Sequence, residues 1–196
     1  MYTQTTDRLW RKNRAIIPES TCVGIDINRN WAWKWDFPGG ASTDPCNDAF
    51  RGRSAGDTAE FKALSAFNDK LANSTAGAKL YIDWHAYSQL FMSPYSYSCL
   101  WQALDNAELV TLANGYAVAA EKRYGTIYKS GPICSTIYPA TGTSVDYAYD
   151  VNKIKYSFAA ELRDTGTYGF ILPPDQILPT AEESWEGVRY LLENMK

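Results

Sequence analysis

Histidine is almost absent from this chain, which has one, His85, among its 196 residues. Any metal site within the chain can therefore draw on only a single imidazole. The sequence also lacks a run of about 18 apolar residues, so no membrane-spanning segment is expected. Lys and Arg are dispersed and the net charge is −3, which argues against a nucleic-acid surface. Residues 1–7 lack the basic and apolar regions of a signal peptide.

The composition is that of a globular protein, with 45% apolar and 21% charged residues. A chain of this length can form one domain that hides roughly 70% of its unfolded surface. No internal repeat or low-complexity tract divides the sequence. We therefore expect residues 1–196 to belong to one domain.

The cysteines indicate disulfides. None lies in a Cys-x-x-Cys pair, and an even number favours two disulfides over free thiols, with three connectivities open from the sequence alone. In one of the three, a disulfide from Cys22 to Cys46 would close residues 22–54, a long loop region rich in Gly, Pro, Asn, Asp and Trp. Residues 73–75, Asn-Ser-Thr, are an acceptor sequence for N-glycosylation. Disulfides and a glycosylation site favour an extracellular location. The cysteines are Cys22, Cys46, Cys99 and Cys134.

Hydrophobic periodicity predicts helices alternating with strands. Helical spacing occurs over residues 57–71, 105–124 and 174–195, and apolar runs at residues 79–84 and 156–162 predict buried strands. This alternation predicts an α/β sheet covered on both faces. The apolar positions of the first helix are Ala59, Phe61, Ala63, Leu64, Phe67 and Leu71, and those of the second are Leu109, Leu112, Ala113, Tyr116, Ala117 and Ala120.

Two titratable residues fall where these strands end. His85 follows the first strand and Glu161 lies near the end of the second, and ligand sites in open α/β sheets gather at carboxyl ends of strands. A lone histidine is more often structural than a metal ligand. A carboxylate among apolar strand residues costs several kcal/mol unless it is paired. Glu161 could simply pair with Arg163, or act as a general base with a raised pKa.

Other polar residues are individually weak signals. Arg11 belongs to a basic cluster around Trp10 that is typical of a solvated surface. Arg29, between two asparagines in a Gly- and Trp-rich loop, has a planar fork suited to a carboxylate. Tyr138 lies between Ile137 and Pro139, as a residue on a mobile loop would.

Taken in order, five stretches resemble the zinc carboxypeptidases of the pancreatic A/B type. The stretches are RLWRKNR at 8–14, GIDINRNW at 24–31, HAYSQL at 85–90, IYPATG at 137–142, and 156–170 with its ending ELRDTGTYGF. They span almost the whole chain, so chance similarity is excluded. The resemblance implies a mixed, mainly parallel β-sheet flanked by helices, with the N-terminal part of the catalytic domain missing. It also implies the disulfides Cys22–Cys46 and Cys99–Cys134.

The resemblance implies catalytic roles. His85 would be a zinc ligand, and Glu161 would activate the water on Zn²⁺. Arg11 would stabilise the oxyanion that develops on the scissile carbonyl. Asn28 and Arg29 would hold the terminal carboxylate of a peptide substrate.

Further roles concern the walls around the substrate. Tyr138 would close over the substrate, Tyr87 would line the subsite before the scissile bond, and Phe170 would pack near the pocket. An apolar Val145 at the pocket base and a small Ala159 imply a preference for C-terminal Phe, Tyr, Trp and Leu, because a stranded cation is costly there. The resemblance also matches six further residues of the pocket wall. Four of them are apolar, and two are polar at positions where the family commonly has glycine. The apolar ones are Met92, Ile133, Ile137 and Ala140, and the polar ones are Ser96 and Thr143.

The family's other two zinc ligands come from a His-x-x-Glu motif, and no second histidine exists here. We therefore expect this chain alone to be inactive, with Zn²⁺ bound only in an intact domain. Without the segment that carries the motif, a sheet face and edge would be bare, and that segment is an expected partner. Two alternatives remain: a metal-free module that binds peptide C-termini, and a truncated product without function.

Overall fold

The computed structural model describes residues 2–196. Its strands are β1 Leu80–Ala86, β2 Leu90–Ser93, β3 Lys129–Pro132 and β4 Tyr156–Leu162. Two 3₁₀ turns occupy Ile27–Arg29 and Pro174–Gln176. The helices are α1 Tyr2–Thr5, α2 Ala59–Ala72, α3 Asn106–Tyr124, α4 Ile133–Thr136, α5 Ser144–Asp150 and α6 Ile177–Asn194.

The strands form one sheet in the order β1-β4-β2-β3. β1 pairs in parallel with β4 and β2 in parallel with β3, while β2 and β4 run antiparallel. This confirms the expected mixed, mainly parallel sheet. β2 and β3 were not predicted, because each has only four residues and is too short to show a period.

Helices α3 and α6 cover one face of the sheet. All six predicted apolar positions of α3 are buried, which confirms its orientation. Tyr116 of α3 stacks on Phe91 of β2 with ring centroids 3.6 Å apart. α6 approaches closely at Gly187, where a Cβ would lie 2.4 Å from the Tyr116 ring. The glycine therefore permits the contact that seals this layer.

Helix α5 packs on the other face of the sheet. Val145 of α5 joins Met92 of β2 and Ala159 of β4 in a second apolar cluster, while the α3 side takes the alternating neighbours Phe91 and Phe158. Strand side chains alternate between faces, so the two clusters lie on opposite sides of the sheet. The prediction of helices on both faces is confirmed.

The prediction for α2 is right in type and wrong in orientation. Its buried side consists of Phe61, Ser65 and Asn68. Leu64 and Phe67, expected to face the core, are 47% and 57% exposed. Phe61 packs against Trp31 and Tyr147, at 5.2 and 5.6 Å between ring centroids, so one aromatic side chain anchors the helix. The rest of its apolar face has no cover among residues 2–196.

The loop region at residues 22–54 contains little regular structure apart from its 3₁₀ turn. The disulfide Cys22–Cys46 closes it, and a second, Cys99–Cys134, ties the segment after β2 to α4. These are the pairs that the resemblance implied. Within the described part of the chain, no helix is long and apolar enough to cross a membrane.

Candidate active site

The site lies where β1 and β4 end side by side. His85 of β1 and Glu161 of β4 are register partners in this parallel pair. Both side chains line a cavity of about 220 Å³. The strand pairing therefore brings together two groups that are distant in the sequence.

The cavity collects every residue for which the resemblance implied a catalytic or binding role. They come from the first loops, the ends of two strands, the segment around α4 and α5, and the turn after β4. Their arrival at one place follows from the fold, since few of them are neighbours in the chain. The ten residues are Arg11, Asn28, Arg29, His85, Tyr87, Tyr138, Val145, Ala159, Glu161 and Phe170.

His85 is held by two neighbours. Its Nε2 lies 2.8 Å from Asp83 Oδ2 and 2.9 Å from Asn28 Nδ2. Burial lowers the pKa of His85, but the hydrogen bond and charge of Asp83 outweigh it and raise the pKa above its usual value. Burial likewise opposes ionisation of Asp83, yet His85, Ser144 and Asn28 bring its pKa below the usual value. Each group of this pair therefore favours the charged form of the other.

Asp83 and Ser144 were missed by the sequence reasoning. The Ser144 hydroxyl donates to Asp83 Oδ2, and the Ser144 backbone N–H donates to Asn28 Oδ1 at 2.9 Å. A signal for Asp83 did exist. It lies two positions before His85 on the same strand, and residues at this spacing share one face of a sheet.

Glu161 is the other titratable centre of the cavity. Burial raises its pKa to about 7, against the opposing charges of His85 and Arg11. Its Oε2 atom is buried and has no hydrogen-bond partner. Arg163, the alternative partner considered from the sequence, instead binds Glu183, with its Nε 2.8 Å from Glu183 Oε1. A carboxyl group with a near-neutral pKa can accept or give up a proton at physiological pH.

The two arginines of the cavity differ in their charge balance. Arg11 is paired with Asp26, at 2.8 Å between NH2 and Oδ2. Arg29 is 6% exposed, donates from NH1 to the Asn28 carbonyl at 2.8 Å, and leaves Nε without a partner. Among the described residues it forms no ion pair. A buried cation without a counter-charge is costly, so Arg29 is ready for an anion.

A model of the zinc carboxypeptidase family matches residues 1–187. The chain belongs to this family. Relatives include a metallocarboxypeptidase A-like protein of Trichophyton verrucosum, 48% identical over all of this chain and 46% of its own length. Carboxypeptidase A2 of Mus musculus is 47% identical over all of this chain and 45% of its own length. The chain thus spans less than half the length of these carboxypeptidases.

Solved structures share the fold. Bovine thrombin-activatable fibrinolysis inhibitor, in complex with tick carboxypeptidase inhibitor, superposes with a TM-score of 0.91 at 39% identity, covering 98% of this chain and 64% of that one. Carboxypeptidase A of Helicoverpa armigera gives a TM-score of 0.87 at 28% identity, over 98% of this chain and 47% of that one. The mixed sheet with flanking helices is therefore the carboxypeptidase fold.

The family implies Zn²⁺, and the donor set of this chain does not complete a zinc site. Catalytic zinc takes about three protein ligands and keeps one open position. Across residues 2–196, no group of three or more His, Cys, Asp or Glu side chains is placed to hold a metal. His85 is the sole imidazole, and its Nε2 is occupied by Asp83 and Asn28. The remaining ligands of a zinc site cannot come from the described residues.

Proposed function

We propose that residues 1–196 are part of the catalytic domain of a zinc-dependent exopeptidase that removes the C-terminal residue of peptides and proteins. The observation that carries this is that Arg29, a buried cation without a counter-ion, and Glu161, a buried carboxyl with an unpartnered oxygen, line the same cavity. The first suits a terminal carboxylate and the second suits proton transfer. An exopeptidase needs both.

The side chains of this chain have separate tasks in the proposed reaction. Arg29 and Asn28 hold the terminal carboxylate, and Tyr138, whose ring centroid is 5.9 Å from the Arg29 guanidinium carbon, covers it. Glu161 takes the proton of the attacking water and passes it to the leaving amine. Arg11, fixed by Asp26, stabilises negative charge on the carbonyl oxygen. In a zinc-loaded domain His85 would be one of the groups that hold the ion, which would polarise the scissile carbonyl.

The proposed substrates end in a bulky apolar or aromatic residue. We call Arg29, Asn28 and Tyr138 the carboxylate clamp. The same cavity is also lined by Val145, Ala159, Met92 and Ile133, and none of these four is charged. A Lys or Arg side chain buried there would lose its hydration without gaining a counter-charge. The small Ala159 leaves room for a large ring.

The proposed location is extracellular, and the proposed partners are peptide or protein C-termini. The disulfides Cys22–Cys46 and Cys99–Cys134 are typical of an oxidising compartment. The remaining part of the domain is a further partner. β1 is an end strand of the sheet, and the apolar side of α2 is exposed.

The test compares peptides that end in Phe or Arg, with the same peptides amidated at the C-terminus as controls. The protein is supplied with the family's His-x-x-Glu segment in front of residue 1, and release of the terminal amino acid is measured. We expect Phe to be released faster than Arg, and amidated peptides to stay intact. Glu161→Gln should abolish release but leave peptide binding. Faster release of Arg contradicts the proposed specificity, and cleavage of amidated peptides contradicts the exopeptidase.

A metal-free module that binds peptide C-termini is the second candidate. The carboxylate-binding groups Arg29, Asn28 and Tyr138 all line the cavity, whereas His85 is a solitary candidate ligand. Calorimetry with a free and an amidated peptide distinguishes the candidates. Binding of the free peptide by the zinc-free chain, with no hydrolysis after the His-x-x-Glu segment and zinc are supplied, would favour the module.

A further inference from the structure

One wall of the cavity hides a row of three polar groups. Ser96 and Thr143 line the cavity, and Asp146 lies behind them. All three are buried, with exposures of 0%, 5% and 1%. Ser96 Oγ donates to Asp146 Oδ2 at 2.6 Å, and Thr143 Oγ1 lies 2.7 Å from Ser96 Oγ. The wall is therefore not uniformly apolar.

Asp146 sets the direction of these hydrogen bonds. It also accepts from the backbone N–H of Ser96, at 3.0 and 3.1 Å, and from that of Tyr97 at 3.1 Å. Two backbone N–H groups point at its oxygens, the arrangement that suits a carboxylate, although burial raises its pKa to about 6. An ionised carboxylate only accepts, which commits the Ser96 proton to Asp146.

The consequence reaches the cavity through Thr143. With the Ser96 proton used, Ser96 Oγ can only accept from Thr143 Oγ1, which commits the Thr143 proton as well. Within residues 2–196 no group donates to Thr143 Oγ1. Thr143 lines the cavity, and the remaining lone pairs of its Oγ1 are left for a donor from a bound molecule.

The position of Thr143 in the fold supports this reading. Thr143 is the N-cap residue of α5, where a threonine hydroxyl normally accepts from a backbone N–H of the first helical turn. Here it makes no such bond. Asn28 Oδ1 accepts from the N–H of Ser144, the first residue of the helix. The Thr143 hydroxyl is thus turned from the helix towards Ser96.

We propose that, among aromatic C-terminal residues, the cavity selects those whose ring carries a hydrogen-bond donor, so that tyrosine is preferred over phenylalanine. This rests on the proposed function, because the same cavity must hold the terminal residue. A tyrosine hydroxyl gives the acceptor of Thr143 a donor. A phenyl ring offers no donor, and one neutral hydrogen bond changes affinity by about three- to tenfold.

The test measures dissociation constants of N-acetyl-L-tyrosine, N-acetyl-L-phenylalanine and N-acetyl-4-fluoro-L-phenylalanine with the purified chain. The fluoro compound has a para substituent but cannot donate. We expect the tyrosine compound to bind about three- to tenfold more tightly than either of the others. Thr143→Val, which replaces the hydroxyl by a methyl group, should bring the ratio close to one. Thr143→Ser, which keeps the hydroxyl, should preserve it.

The outcomes separate the two proposals. Equal affinities in the parent chain, or an unchanged ratio in Thr143→Val, overturn the selection of donors and leave the carboxylate clamp standing. Binding of none of the three compounds overturns the clamp and the selection together. If Thr143→Val does not fold, as judged by its thermal transition, the fluoro compound and Thr143→Ser decide the question.

Discussion

The two helices that were predicted with the clearest apolar stripes end in opposite situations. Leu109 and Tyr116 of α3 are fully buried between the sheet and α6. Leu64 and Phe67 of α2 are about half exposed, at 47% and 57%. Spacing along a helix tells which side is apolar, but not whether another element covers it. The contrast between a covered and a bare apolar side can be tested by substitution.

The largest expected loss of stability is at the buried ion pair of α6, on the face of the sheet that α3 and α6 cover. Glu183 is 0% exposed and binds Arg163, with Tyr128 Oη donating to it at 2.9 Å. Glu183→Gln should lower the free energy of unfolding by about 3–5 kcal/mol, because it leaves a buried guanidinium without its charge partner. Denaturant unfolding measures this.

The matched control is Glu186→Gln, which breaks the exposed pair with Arg189 on the same helix. We expect a change of at most about 1 kcal/mol there. Equal losses in the two variants would mean that α6 is not sealed against the sheet.

Leu109→Ala is expected to cost roughly 3 kcal/mol of unfolding free energy. The side chain is 0% exposed, so its removal leaves a cavity as well as losing apolar burial. Val118→Ala on the same helix is the comparison, since Val118 is 54% exposed. A loss below about 1 kcal/mol at Leu109 would contradict the close packing of α3.

A pH effect is expected from Asp146, on the cavity side of the sheet. Its pKa is about 6 in the fold against 3.8 for the free group, because burial disfavours the charge. The folded protein therefore binds the proton more readily, and the contribution of Asp146 to stability grows as the pH falls from 7 to 4, by roughly 2 kcal/mol.

The measurement is the free energy of unfolding of the parent minus that of Asp146→Asn, at pH 7 and at pH 4. The subtraction removes the effect of all other carboxyl groups. We expect the difference to be larger at pH 4. A smaller difference at pH 4 would show that Asp146 is stabilised as a carboxylate.

The smallest expected effect on stability is on the bare side. Phe67→Ser should change the free energy of unfolding by at most about 0.5 kcal/mol, because Phe67 is 57% exposed. It should also reduce self-association, measured by sedimentation, because it removes apolar surface. A loss comparable to that of Leu109→Ala would mean that α2 packs more tightly than its exposure indicates.

Much of the fold could be predicted from the sequence because its helices and longer strands carry clear periods. α3 matched its predicted stripe at all six positions. β2 and β3 have four residues each, and α5, Ser144–Asp150, is buried almost throughout, including its polar residues. Short or fully buried elements have no alternation to detect, so only their neighbours define them.

Some residues of the candidate site could likewise be found from the sequence, and others only from the structure. Resemblance of ordered motifs singled out the residues that line the cavity, and their catalytic roles stay predictions. It did not reveal Asp83 beside His85, or the row from Thr143 through Ser96 to Asp146. These depend on distances between residues that are far apart in the chain.

By itself the sequence determined the family, the positions of the long elements and the limit of one imidazole. Local spacing and ordered motifs carry that information, because they are properties of neighbouring residues. Only the tertiary structure decided that Glu161 lacks a partner while Arg163 binds Glu183. It also decided that Thr143 turns from its helix to Ser96. Hydrogen bonds and burial depend on which distant groups come together, and that is set by packing.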